Sequence, residues 1–354
     1  MSRFMNEKYS RLKEYTPGEQ PKDTVYIKLN TNESPYPPGP KTIAAVTDEV
    51  MASRLRLYSD PESAALKKAL AERYGVESAN IFVSNGSDDI LNFAFMAFGA
   101  DGVMFPEISY GFYPVFADLN MIDAVKVPMK EGLAIDPADY AGSGRMTVLA
   151  NPNAPTGLAL AVKEVESIAK ADPGHIVLVD EAYVDFGGES CICLIDENPN
   201  VLVVRTYSKS RSLAGARLGF AIGNADVIAD LEKIKYSTNP YNVNSITSAA
   251  GIAALAEDDY YMENCRKVME TREWTENELK NLGFEVIPSS SNFLFAKNGK
   301  IGGKALYEKL RERRILVRHF DNPLICEYNR ITVGTPEEMA ALIDAVRDLI
   351  GENV

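Results

Sequence analysis

The stretch Arg205–Gly219, RTYSKSRSLAGARLG, follows the apolar run Val201–Val204 and sets Lys209 among hydroxyls, with Arg217 further along the same loop. Val201–Val204 reads as a short strand buried on both faces, so Lys209 stands where a parallel strand gives way to a loop. That edge is where open α/β sheets place their chemistry. A lone lysine between serines is also an ordinary solvated loop residue, so the neighbouring strand ends must decide. Met146–Ala150 is apolar and runs into NPNAPTG, while Ile176–Val179 is apolar and stops at Asp180 and Glu181 within IVLVDEAY. A helical stretch from about Lys163 to Ala171 separates them, and FAIG near Phe220 adds a further strand. Strands alternating with helices predict an α/β fold with a mostly parallel central sheet.

Composition narrows the class. The chain has 354 residues, 46% of them apolar, enough for a large domain with a smaller lobe. A formal net charge of −13 argues against nucleic acid or an anionic membrane as partner, because no basic stripe offsets the repulsion from phosphates. Small-molecule chemistry is the expectation. The start of the chain lacks an apolar signal-like run, and no stretch is long and apolar enough to span a bilayer, which points to a cytoplasmic protein. Cys191, Cys193, Cys265 and Cys326 form no CxxC pairs, and only His175 and His319 could add imidazoles, so no metal site is expected.

Residues 1–40, with PGEQP and NTNESPYPPGP, read as an arm without helical or strand period. Residues 41–258 are expected to form the large domain and 259–354 a small α+β domain that part of the arm joins. Helical patterns cover about 41–53 and 62–74, and Ile81–Val83 opens the next strand. In SNGSDDILNFAFMAF, Gly86, Ser87 and Asp88 start a helix, either as ordinary N-caps or as a cup of free N–H groups for an anion. Tyr110, Phe112 and Tyr113 crowd together, as core or as a plate for a planar ligand. Past residue 258 come a long charged helix, the strands GFEVIP, NFLFAK, RILVRHF and RITVG, and a last helix. Thr335, Pro336 and Glu338 give that helix a capping box with proline at its first position. Nucleotide hydrolases also end apolar strands in acids. The chain has neither GxxxxGK[ST] nor a strand leading into GxGxxG.

With SNGSDD, NPNAPTG, VDEAYVDF, TYSKSRSLAGARLG, NPYNVN and RITVGTPEE in this order, the chain resembles the fold-type I pyridoxal-phosphate aminotransferases, more narrowly the histidinol-phosphate aminotransferases. The resemblance covers nearly the whole length. It implies pyridoxal 5'-phosphate as cofactor, held covalently through Lys209, with Asp180 at the pyridine nitrogen and Tyr183 at the phenolic oxygen. Gly86, Ser87, Asp88, Thr206, Ser208 and Arg217 match the positions that hold the cofactor phosphate side, and Tyr110 the ring-stacking position. A tyrosine at the position of Tyr58 crosses in this family from a second subunit, implying a homodimer with shared active sites. Asn32, Arg318 and Arg330 match substrate-binding positions, the two arginines receiving an anionic end.

The implied reaction moves the amine of L-histidinol phosphate to 2-oxoglutarate, giving imidazole acetol phosphate and L-glutamate. One departure stands out: the family commonly has asparagine directly before PTG, and here that residue is Ala154. Asn153 is the substitute candidate for contact with the phenolic oxygen. The alternatives in the same fold are a threonine-phosphate decarboxylase and an aromatic or broad-specificity aminotransferase. A cofactor-bound regulator would need an added DNA-binding module, for which the acidic chain leaves no room.

Overall fold

A computed structural model of the chain describes residues 4–9, 12–13 and 15–351. The arm contributes β1 (Ile27–Lys28), and the apolar runs read above become strands of one sheet: β2 (Ile81–Ser84), β3 (Val103–Pro106), β5 (Met146–Ala150), β6 (Val177–Asp180), β7 (Val201–Thr206) and β8 (Gly219–Gly223). The sequence reading missed β4 (Ala124–Val127), an edge strand whose first three residues are exposed and carry no apolar run. The order is β2-β8-β7-β6-β5-β3-β4, with β8 alone antiparallel to its neighbours. The two faces of β7 show why these strands are apolar throughout. Val201 and Val203 belong to one buried cluster and Leu202 and Val204 to another, so helices cover the sheet on both sides.

Register brings the strand ends into line. Ala150 lies opposite Asp180, Asp180 opposite Val204, Thr206 opposite Gly219, and Gly219 opposite Ser84. The loops after β2, β5, β6 and β7, and the loop before β8, therefore open at one edge. That edge is the crevice in which doubly wound sheets hold ligands.

A second, antiparallel sheet has the order β12-β13-β10-β9, formed by β9 (Phe284–Ile287), β10 (Phe293–Asn298), β12 (Arg318–His319) and β13 (Asn329–Thr332). The stretch RILVRHF is split: β11 (Ile315–Leu316) instead pairs in parallel with β1, tying the arm to this lobe. The terminal helix Pro336–Gly351 buries Met339, Leu342, Ile343, Val346 and Leu349, as its period predicts. Its box is formed, Thr335 N–H reaching Glu338 Oε2 at 2.8 Å and Glu338 N–H reaching Thr335 Oγ1 at 3.3 Å. The apolar cluster of this lobe also takes in Leu29, Ala154 and Tyr183, so its core extends to the crevice. Among the described residues no helix is long and apolar enough to cross a membrane.

Candidate active site

Asp180 ends β6 and Lys209 follows β7, and both line one cavity of about 110 Å³. The Asp180 carboxylate accepts from Tyr113 Oη at 2.9 Å and from Ala182 N–H at 3.2 Å. No cation is in hydrogen-bonding contact with it among the described residues. Burial consequently pushes its carboxyl up to about 6. Tyr113 is itself fully buried, and burial followed by the neighbouring acid holds its phenol far above the ordinary range. It stays a donor at any working pH.

Among the described residues Lys209 Nζ donates only to the Thr31 carbonyl, at 3.3 Å, and it lies 5.7 Å from the Tyr183 ring centroid. The loop that carries it is fixed from behind. Asp185 takes Arg205 on one side and, on the other, Ser210 Oγ at 2.5 Å and Arg211 Nη1 at 3.6 Å. Arg211 continues to Asp258 at 2.6 Å. These partners are mostly buried, so the amine projects from a backbone held on both flanks.

At the other end of the cavity the helix Ser87–Phe98 begins at Gly86, with no side chain capping its first turn. Among the described residues its leading N–H groups thus have no side-chain cap, as an anion cup at this helix start would need. Close approach requires glycine twice here. A Cβ on Gly86, whose φ is +90°, would stand 2.7 Å from Arg217 Nη2, and one on Gly219 would stand 2.5 Å from Ser87 N. Arg217 Nη2 meets Asp88 Oδ2 at 2.9 Å and its Nη1 reaches Ser208 Oγ at 3.4 Å. Asp88 Oδ1 accepts from Tyr110 Oη at 2.8 Å, and Thr206 Oγ1 accepts the Ser208 N–H at 3.1 Å. The site thus brings together N–H groups, hydroxyls, a guanidinium, an amine and a buried acid without a hydrogen-bonded cation among the described residues.

A wider cavity of about 770 Å³ shares Tyr110 and Ala154 with the first and carries Arg318 and Arg330. Arg330 gives one N–H to the Asn30 carbonyl at 3.0 Å and leaves its buried Nε without a partner. Arg318 donates to the carbonyls of Thr16 at 3.1 Å and Pro17 at 3.4 Å. No carboxylate among the described residues pairs with either guanidinium. Burial pulls the pKa of Arg330 below its usual value, the mark of a cation lacking its counter-ion.

Two of the expected site residues do not line the cavities. Asn153 does not reach the cavity: its amide donates to the Ile108 carbonyl and to Thr156 Oγ1, both at 3.0 Å, while Ala154 forms the wall. The one-residue offset turns the side chain into the turn that it braces. Asn32 likewise lines neither cavity; it is 1% exposed, donates to Tyr183 Oη at 2.9 Å and accepts from Thr332 Oγ1 at 3.0 Å. Tyr58 lies outside the cavity of its own chain, 83% exposed and stacked on Tyr241 at 4.5 Å. Two contributors escaped the sequence reading. Tyr113 was hidden among core-like aromatics, and Tyr15, in an arm without period, stacks on Phe112 at 4.1 Å and lines the wider cavity.

The family profile for aminotransferases of class I and II matches residues 24–346. The chain belongs to this family. The aminotransferase is 49% identical to the histidinol-phosphate aminotransferase of Marinomonas sp. (strain MWYL1) over 99% of its own length and 100% of that protein's. It is 47% identical to the histidinol-phosphate aminotransferase of Brachyspira hyodysenteriae, with 99% of each chain covered. Among solved structures, histidinol-phosphate aminotransferase from Sinorhizobium meliloti in complex with pyridoxal-5'-phosphate superposes with a TM-score of 0.86 at 27% identity, covering 93% of this chain and 92% of that one.

Proposed function

We propose that this aminotransferase transfers the amino group of L-histidinol phosphate to 2-oxoglutarate, with pyridoxal 5'-phosphate as cofactor. The carrying observation is that Lys209 and the cation-free acid Asp180 share one cavity that opens beside two guanidiniums without carboxylate partners. The donor set suits the cofactor: an anion cup at the helix start, an amine for an aldehyde, and an acid for a ring nitrogen. When bound, pyridoxal phosphate supplies the aldehyde to which an amine attaches and a protonated ring that draws electron density from the substrate carbon. The protein's residues do the rest. Arg217, Ser208, Ser87 and the leading N–H groups hold the phosphate, while Tyr110 forms a wall of the slot. Asp180, kept in place by Tyr113, holds a proton on the ring nitrogen. Lys209 would anchor the cofactor, and its amine would be the group placed to move a proton at the substrate carbon.

Arg330 and Arg318 receive the anionic end, phosphate in one half-reaction and carboxylate in the other, since a guanidinium fork fits both. Arg330→Met is expected to raise the Michaelis constants for both substrates by about 10²-fold, the loss of a charge-assisted pair, with cofactor uptake unchanged. Initial rates against each substrate check this. Tyr58, on a surface with exposed Leu55 and Leu57, is proposed to reach the cofactor phosphate of a second copy in a homodimer.

The test of function pairs two incubations. With histidinol phosphate and 2-oxoglutarate, glutamate should accumulate. With threonine phosphate alone, release of carbon dioxide and no glutamate in the first arm would transfer the assignment to a decarboxylase.

A further inference from the structure

With Ala154 in place of the usual asparagine, Tyr183 is left as the donor that the resemblance assigns to the phenolic oxygen, and the structure shows what its own oxygen is bonded to. Thr332 Oγ1 accepts the backbone N–H of Asn32 at 2.9 Å and gives its own proton to Asn32 Oδ1 at 3.0 Å. The Asn32 amide, so oriented, gives an N–H to Tyr183 Oη at 2.9 Å. The opposite amide orientation would leave the Thr332 proton without an acceptor in a site where Thr332 is 3% exposed. Asn32 is anchored further by Asn292, whose amide donates to the Asn32 carbonyl at 3.0 Å, and its φ of +55° is one that asparagine tolerates. Tyr183 lines the cavity, and its oxygen already accepts one hydrogen bond from behind.

We propose that Thr332 and Asn32 form a directed relay that commits the Tyr183 hydroxyl proton to the cofactor's phenolic oxygen, at a site where Ala154 offers no second donor. The relay makes Asn32 a positioning residue, acting through Tyr183. The inference rests on the cofactor reading given above. The charged and titratable groups around Tyr183 are Lys209, Arg330, Asp180, Tyr15, Tyr110 and Tyr113; no hydrogen bond joins any of them to its hydroxyl. Among the described residues its hydroxyl is hydrogen-bonded to Asn32 alone.

Asn32→Asp tests the direction of the relay. Aspartate keeps the size and tolerates the left-handed backbone, but can only accept, so it draws the Tyr183 proton away from the cavity. The readout is the pH midpoint of the visible absorbance of the cofactor-loaded protein, which reports protonation at the Lys209 linkage and not turnover. A donor on the phenolic oxygen stabilises its anionic form and lowers that midpoint, so Asn32→Asp should raise it by about one pH unit, as should Tyr183→Phe. In the Tyr183→Phe background, Asn32→Asp should add little. Equal shifts in both backgrounds would mean that the new carboxylate acts by charge alone, and the relay would be wrong. Thr332→Val, which frees the amide to turn over without adding charge, should give a smaller shift of the same sign; no shift would also overturn the proposal. Wild-type protein that takes up pyridoxal phosphate without a visible band would instead sink the cofactor reading itself.

Discussion

Lys209→Ala should abolish the visible absorbance of the cofactor-loaded enzyme and lower kcat/KM by at least about 10⁴-fold, because one side chain serves as both covalent anchor and proton carrier. Among the described residues no other amine lines the 110 Å³ cavity to substitute for it. The fold should hardly notice. Lys209 makes a single 3.3 Å hydrogen bond, and its loop is fixed by Asp185, Arg205 and Arg211, none of which the substitution touches. Urea unfolding of the variant without cofactor should therefore agree with the parent within about 0.5 kcal/mol. A variant that keeps its colour and a measurable fraction of its rate would show that another group carries the chemistry.

Asp180→Asn should trade catalysis for stability. Asparagine still fits beside Tyr113 but cannot hold a proton on a ring nitrogen, so kcat is expected to fall by about 10²- to 10³-fold. The stability effect has the opposite sign. In the cofactor-free protein the folded pKa of about 6 stands above the ordinary 3.8. Ionising the acid in the folded state is thus unfavourable relative to the unfolded chain. The penalty is absent below about pH 4, grows as pH rises toward 6, and stays constant above, at about 3 kcal/mol for a shift of about two units. Cofactor-free Asp180→Asn should therefore be more stable than the parent at pH 7.5, with the difference gone by pH 4. Denaturant titrations at both pH values measure it. Loading the parent with cofactor should remove the difference at pH 7.5, since a cation then faces the acid.

Much of this site could be read from the chain because its groups sit at strand ends. Asp180 and Lys209 each follow an unbroken apolar run, and such runs are visible without any contact information. The box at Thr335 and Glu338 was legible for the same reason, being local. What stayed hidden depends on partners far away in sequence. Tyr113 matters through an oxygen 67 residues on, and Asn32 through Thr332, 300 residues on. The reversal of β8 and the exposed edge strand β4 leave no period of their own. Asn153 misled because position in a motif does not fix where a side chain points: its amide is taken up within the turn, by the Ile108 carbonyl and Thr156 Oγ1.

The parallel pairing of Ile27–Lys28 with Ile315–Leu316 also sets an order of assembly. On the ribosome, every strand of the large sheet has been made by Gly223, so the pocket that grips the vitamin-derived group can take shape while synthesis continues. Asn30, Thr31 and Asn32 find their seats only after residues 315–332 emerge. The lining of the smaller cavity, from Ser87 to Arg217, is thus complete in the chain before Arg318 and Arg330 of the wider one have been made.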